Sequence, residues 1–245
     1  MKSIFITAIT IMVAFVFFSF LEQRKINVWM IGDSTMAIKV VNKYPETGWG
    51  VPFAQMFTDN VLVRNHAKNG RSTKSFKNEG LWKEVYENIK KGDYVFIQFG
   101  HNDEKVDKPA VGVTPKEFEA NLQEYVELVQ SKQAKPILLT PIARRKFEQG
   151  QLQETHGEYA TIACSLAQKL NVPCIDLRSL TNKLLSEMGE AESKSLFLHL
   201  DAGDHNYPSG VQDNTHLNQQ GAQKIAELVV QEIKRQKIAL QDYLK

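Results

Sequence analysis

The chain has 245 residues, 42% of them hydrophobic and 24% charged, with a formal net charge of +2. That is enough apolar material for one substantial core and excludes a disordered or fibrous chain. Lys and Arg are interspersed with Asp and Glu, so no basic stripe is available to neutralise successive phosphates, and nucleic acid is not an expected partner.

Residues 4–21 are apolar and uncharged and follow Met1-Lys2-Ser3. The run is longer than the usual core of a signal peptide and close to the shortest membrane span. Residues 1–23 are therefore expected to be a signal peptide or an N-terminal membrane anchor, and residues 24–245 one folded domain. Export is expected, to a periplasmic, secreted or envelope-anchored location, with membrane contact only through this segment if it is not cleaved.

Beyond residue 26, strand and helix patterns alternate. Strands are predicted at 27–31, 61–65, 94–99, 136–140 and 172–176, all short, rich in Val and Ile and mostly apolar on both faces, as in a buried parallel sheet. Thr114-Pro115-Lys116-Glu117 is a capping box with proline at the first helical position. Phe118, Leu122, Tyr125, Val126 and Val129 then share one helical face. Further helices are predicted over 155–170 and from about Asn218 onward, the latter burying Ala222, Ile225, Ala226, Val229 and Ile233. Five strands with intervening helices predict a doubly wound α/β sandwich. The longest irregular stretches, 104–112 and 193–212, are of a length that tends to carry function. Cys164 and Cys174 fall on a helix and on the next strand, whose backbones pack about 10 Å apart, so two buried free thiols are expected.

In an open parallel sheet, the groups that meet a ligand collect at the carboxyl ends of the strands. Ser34 follows the first predicted strand in Gly32-Asp33-Ser34-Thr35-Met36-Ala37, and Gly70 follows the second in Asn69-Gly70-Arg71-Ser72. Asn102 follows the third in Phe99-Gly100-His101-Asn102-Asp103, and Asp213-Asn214-Thr215-His216 precedes the last helix. A serine hydroxyl needs a base to become nucleophilic, and imidazole, with an ordinary pKa near 6.5, is suited to the task. Asp213 is spaced to hold His216 in the required tautomer. The backbone N–H groups of Ser34 and Gly70 and the side-chain amide of Asn102 are donors of the kind that stabilise a tetrahedral oxyanion. Hydrolysis is the chemistry these residue types favour.

These motifs occur in the order and rough spacing of the SGNH, or GDSL-like, hydrolase superfamily, which the chain resembles over residues 27–236. Within it the chain is most similar to rhamnogalacturonan acetylesterases, which share Gly-Asp-Ser-Thr-Met-Ala, Gly-Arg-Ser and Phe-Gly-His-Asn-Asp. The resemblance implies a three-layer α/β/α sandwich with a five-stranded parallel sheet of order 2-1-3-4-5. It implies Ser34 as nucleophile, His216 as base, Asp213 as its partner, and Ser34, Gly70 and Asn102 as the oxyanion hole. It further implies no metal, no organic cofactor and an acetylated polysaccharide or oligosaccharide as substrate.

Other readings attach to the same residues. Asp33 suits a turn cap, His101 a structural position and His66 a packed loop position. His199-Leu200-Asp201-Ala202-Gly203-Asp204-His205 has metal-ligating groups in a spacing that fits no defined ligand motif, and a loop closing over the site is the preferred reading. Trp49 either packs in the core or stacks on a sugar, as Tyr44 and Tyr207 are also placed to do. Arg71 pairs either with a uronic-acid carboxylate or with a surface carboxylate. At the level of function, the rivals are a lipid esterase of the same fold, a noncatalytic carbohydrate-binding protein and a metal-dependent phosphoesterase.

Overall fold

The computed structural model describes residues 24–245. The apolar segment at residues 4–21, expected to direct export, lies outside the described residues. From Ile26 the chain enters β1 (Ile26–Gly32) and passes through a short helix, α1 (Gly50–Ala54), to β2 (Val61–Asn65). Helices α2 (Thr73–Asn78) and α3 (Leu81–Asn88) precede β3 (Tyr94–Gln98), and α4 (Pro115–Ser131) precedes β4 (Lys135–Leu139). A small hairpin of β5 (Phe147–Glu148) and β6 (Gln151–Leu152) leads to α5 (Tyr159–Leu170), β7 (Cys174–Ile175) and α6 (Leu177–Ser193). An antiparallel pair, β8 (Phe197–Leu200) and β9 (Val211–Leu217), precedes α7 (Gln219–Arg235).

The main sheet has the order β2-β1-β3-β4-β7 with every pairing parallel. Counting only its own five strands, this is the expected order 2-1-3-4-5. Successive side chains of a strand point to opposite faces, and here both faces are covered. Val28 and Met30 of β1, Phe96 of β3 and Leu139 of β4 join a core closed by Phe53 of α1, Leu185 of α6 and Ala226 and Val229 of α7. Trp29 and Ile31, Val95 and Ile97, and Leu138 face the other way, against Phe76, Trp82, Leu122, Val126 and Leu166 of α2 to α5. The result is three layers, with the sheet in the middle.

At the amino ends of the strands, buried Asp93 ties β1 to β3. It accepts from Asn27 N at 3.2 Å, Trp29 Nε1 at 3.0 Å and Lys90 N at 3.0 Å. Burial opposes its charge, and these donors together with Arg24 outweigh burial and hold its carboxyl below the usual carboxylate range.

The expected elements are present with three differences. The fifth strand shrinks to two residues because Pro173 has no N–H for a ladder and Asp176 turns aside to cap α6, accepting from Ser179 N at 3.0 Å. Helix α5 starts at Tyr159 rather than near 155, after Gly157 in the left-handed region at φ 52°. The stretch from 193 to 212, expected to be irregular, contains β8, and Asp213 to His216 lie within β9 rather than in a turn.

The cysteines correct the expectation of free thiols, since Cys164 and Cys174 form a disulfide with Cα atoms 5.3 Å apart. The 10 Å spacing of helix and sheet applies where their axes pack face to face. Here the left-handed cap at Asn171, φ 52°, ends α5 and folds the chain straight back, so Cys174 enters β7 beside the last turns of the same helix.

Closing a loop of this length stabilises a fold by roughly 2–3 kcal/mol. The double variant Cys164→Ser/Cys174→Ser should lose about that much stability in urea unfolding while leaving the cavity described next unchanged, because neither cysteine lines it. An unchanged unfolding midpoint would count against a structural role for the bond.

Candidate active site

Ser34 is carried by β1, an interior strand of the sheet, two residues past its end. The chain turns there because Asp33 Oδ1 accepts from Thr35 N and Thr35 Oγ1, both at 2.9 Å, and because the Asp33 carbonyl accepts from Met36 N and Ala37 N. Gly32 permits the close approach to β3 that this turn needs, since a Cβ there would lie 2.5 Å from the Gln98 carbonyl oxygen. Ser34 is left 8% exposed at the carboxyl edge of the sheet.

His216 reaches Ser34 from β9. Its Nε2 lies 3.0 Å from Ser34 Oγ, and its Nδ1 lies 2.7 Å from Asp213 Oδ2. A carboxylate only accepts, so Nδ1 carries the proton and Nε2 is left to accept from the serine hydroxyl. The other oxygen of Asp213 accepts from Thr215 N at 2.7 Å and His216 N at 2.9 Å, which fixes the carboxylate against the strand that carries the imidazole. Burial works against the Asp213 charge, yet the hydrogen bonds and charge of His216 and the Thr215 N–H bring its pKa down to about 2.

Ser34, Gly70, Asn102, Asp213 and His216 line one cavity of about 500 Å³. Among the described residues, neither the Ser34 N–H nor the Gly70 N–H donates to a backbone carbonyl. Asn102 Nδ2 donates one hydrogen to the Arg71 carbonyl at 3.1 Å and retains a second. Three donors thus border the space beside the serine hydroxyl, as addition to a carbonyl requires.

Buried polar groups brace this arrangement from below. Lys39, almost fully enclosed, donates to the Ser34 carbonyl at 2.5 Å and to Asn69 Oδ1 at 2.9 Å, and pairs with Glu46 at 2.6 Å. Burial pulls its ammonium below lysine's ordinary pKa, with Glu46 opposing. Asp33 is fully buried, and its Oδ2 lies 3.4 Å from His101 Nδ1. Burial alone would raise Asp33, but His101 and the donors from Thr35 bring it down to about 2. Burial lowers His101 to about 4 against the pull of Asp33, so the ring is neutral at neutral pH and forms part of the cavity wall. Burial, aided by the nearby Asp33 charge, pushes Asp103 up to about 7, against the opposing hydrogen bonds from Thr73 and Gly100 that tie α2 to the end of β3.

Residues 30–224 match the GDSL-like Lipase/Acylhydrolase family. The chain belongs to that family. It is 41% identical over 225 residues to a rhamnogalacturonan acetylesterase, RhgT, of Bacillus subtilis (strain 168), covering 91% of this chain and 95% of that protein. It is 26% identical over 264 residues to a rhamnogalacturonan acetylesterase of Emericella nidulans, covering 100% of this chain and 96% of the relative. Among solved structures, protein YxiM of Bacillus subtilis superposes with a TM-score of 0.76 at 27% identity, over 88% of this chain but 58% of that one. The acetylxylan esterase Axe2 of Geobacillus stearothermophilus shares the fold, with a TM-score of 0.61 at 22% identity over 86% of this chain and 94% of that one.

The acylhydrolase brings Ser34, Gly70, Asn102, Asp213 and His216 together and leaves two proposed substrate contacts outside. Trp49 is fully buried and its Nε1 donates to Gln98 Oε1 at 2.8 Å, so it packs in the core and has no face to offer a sugar. Arg71 sends Nε and Nη2 to Glu79 Oε2 at 2.9 and 2.7 Å in a surface ion pair and Nη1 to the Asn69 carbonyl at 2.8 Å, and it is not among the residues lining the cavity. His66 packs against Trp29, with ring centroids 5.4 Å apart. His199 directs its ring nitrogens at the amide oxygens of Gln212 and Asn214. Tyr44 and Tyr207 hydrogen-bond to Gln219 and to the Lys43 carbonyl.

Sequence reasoning passed over Lys39, Lys105, Arg144 and Arg145. Arg145, 7% exposed, binds Asn214 Oδ1 at 2.8 Å, Ser193 Oγ at 3.1 Å and the Glu190 carbonyl, and so locks β9 to the chain beyond β4. The partners of Arg145 lie up to 69 residues away, where no local motif announces a contact, whereas Lys105 and Lys39 reach Asn102 and the Ser34 carbonyl three and five residues away.

Asp33 is ionised further into acid than the ordinary value of 3.8, so its stabilising contribution is present above about pH 4 and is lost as the pH falls toward about 2. Urea unfolding of the wild type and Asp33→Asn across that window should show the wild type's advantage shrinking as acid is added. A difference that stays constant with pH would contradict this account of Asp33.

Proposed function

We propose that this acylhydrolase is a serine acetylesterase that removes O-acetyl groups from a plant cell-wall polysaccharide, rhamnogalacturonan. The observation that carries the reaction type is the hydrogen-bonded line Ser34–His216–Asp213 opening into a cavity shared with Gly70 and Asn102. Ser34 Oγ attacks the acetyl carbonyl as His216 Nε2 takes its proton. The oxyanion is received by the N–H groups of Ser34 and Gly70 and by Asn102 Nδ2. His216 returns the proton to the departing sugar oxygen, leaving an acetyl-serine. Water, deprotonated by His216, then releases acetate and restores the hydroxyl.

The cavity lining supports a hydrated sugar ester over a long-chain lipid. Among the described residues, every side chain that borders it is polar or charged, and the only other lining residue is Gly70. A fatty acyl chain requires an apolar channel. Lys43 supplies a cationic group to the same cavity, which suits a polymer bearing uronic-acid carboxylates, and Arg144, also in the lining, is paired with Glu104. The 41% identity to RhgT along 91% of the chain supports the choice of rhamnogalacturonan. Export is part of the proposal. It rests on the apolar residues 4–21 and is supported by the Cys164–Cys174 bond, which suits an oxidising compartment.

Residues 24–245 should release acetate from acetylated rhamnogalacturonan and from a short-chain aryl acetate, with little action on long-chain aryl esters. Ser34→Ala should lower kcat by at least about 10⁴-fold without loss of fold, as loss of a nucleophile does in serine hydrolases. Activity that survives Ser34→Ala would rule out the serine mechanism. Preference for long-chain esters would rule out the acetylesterase.

A further inference from the structure

Asn102 stands beyond the end of β3, and both ends of its side-chain amide are held. Nδ2 donates to the Arg71 carbonyl at 3.1 Å, and Oδ1 accepts from Lys105 Nζ at 2.7 Å. A backbone carbonyl only accepts and an ammonium only donates, so these two contacts allow a single orientation of the amide. Turned over, the amide oxygen would face the Arg71 carbonyl and the NH₂ would face the ammonium. In the allowed orientation the second Nδ2 hydrogen remains available to the cavity that Asn102 shares with Ser34 and Gly70.

Lys105 is itself held for this purpose. Its backbone N–H donates to the Asn102 carbonyl at 3.2 Å, closing a turn that returns its side chain toward Asn102. The far end of the same loop packs hard against it, since a Cβ on Gly112 would lie 2.0 Å from the Lys105 carbonyl oxygen. The ammonium therefore comes from a braced turn.

We propose that Lys105 is a positioning residue of the oxyanion hole: its ammonium fixes Asn102 so that Nδ2 faces the reacting oxygen, and polarises that amide as negative charge develops there. A charge-assisted hydrogen bond to the amide oxygen withdraws electrons from the amide and makes its N–H a stronger donor. Because the effect operates on charge that grows only in the transition state, it acts on kcat and leaves ground-state binding unaltered. The inference rests on the serine-esterase reading and requires no particular polymer.

The test is a double-mutant cycle on a short-chain aryl acetate with wild type, Lys105→Met, Asn102→Ala and the double variant, together with Lys105→Arg. Lys105→Met should lower kcat about ten- to a hundred-fold with KM changed less than about twofold, a part of the loss that follows removal of a whole oxyanion donor. Lys105→Arg should restore most of the rate. In the Asn102→Ala background the Met substitution should cost less than about threefold, because its route of action is already gone. Equal losses in both backgrounds, or a raised KM with kcat retained, would overturn the proposal, the latter by making Lys105 a substrate-binding cation. Thermal unfolding of each variant accompanies the kinetics, and Lys105→Gln replaces the Met variant in the cycle if that one melts early. Inactive wild type would instead contradict the esterase reading itself.

Discussion

The hydrogen bond from Ser34 Oγ to His216 Nε2 joins residues 182 positions apart, and most of the fold can be understood as the means of making it. Ser34 is rigid because β1 is the strand between β2 and β3, apolar toward both helical layers. His216 is rigid for a different reason. It sits on the second strand of a small antiparallel pair, anchored to the main body by Arg145 on one side and by α7 on the other. The buried side chains Ala222, Ile225, Ala226, Val229 and Ile233 dock α7 on the sheet, and Asn218 caps its start two residues after the histidine. A 3.0 Å contact between independent segments thus follows from two anchors set by ordinary apolar burial.

Beneath that contact lies an unusual density of buried polar groups. Asp33, His101 and Asp103 are each at most 3% exposed, a position that costs free energy unless partners compensate. Asp33 is compensated at Oδ1 by Thr35, with the His101 ring 3.4 Å from Oδ2, and Asp103 by Thr73 and Gly100. These contacts shape the nucleophile turn and fasten the start of α2 to the end of β3. Lys39 performs a matching task, joining the Ser34 carbonyl to Asn69 next to Gly70. The proposed oxyanion donors are therefore held by charged and hydrogen-bonded struts rather than by packing alone, and preorganisation of this kind is what stabilises developing charge.

Much of this was legible in the sequence where the signal is local. The first four strands read correctly because each begins as a short apolar run, buried on both faces in β1, β3 and β4 and half-buried in the edge strand β2. The Thr114 capping box placed α4 because its hydrogen bonds lie within four residues. Ser34, Gly70, Asn102, Asp213 and His216 were found because each sits in a compact motif at a strand end. What stayed hidden depends on distance in the chain. The strand content of 197–217 exists only because two segments pair with each other, the disulfide depends on how sharply Asn171 turns the chain, and Arg145 finds partners 45 to 69 residues away. Trp49 and Arg71 carried suitable chemistry for sugar contact, but burial of the one and the Glu79 partner of the other were not readable from composition.

The proposed reaction depends on activation of Ser34 by His216. It is tested most directly by incubating the protein with an aryl phosphonate ester, whose phosphorus bonds to the oxygen of an activated serine as the aryloxide leaves, and locating the phosphonyl adduct by intact-mass and peptide mass spectrometry. The structure predicts one adduct per chain, on the peptide containing Ser34, formed with loss of esterase activity and greatly slowed in His216→Ala. An active protein that takes up no label, or takes it up at another residue while Ser34 stays free, would contradict the account.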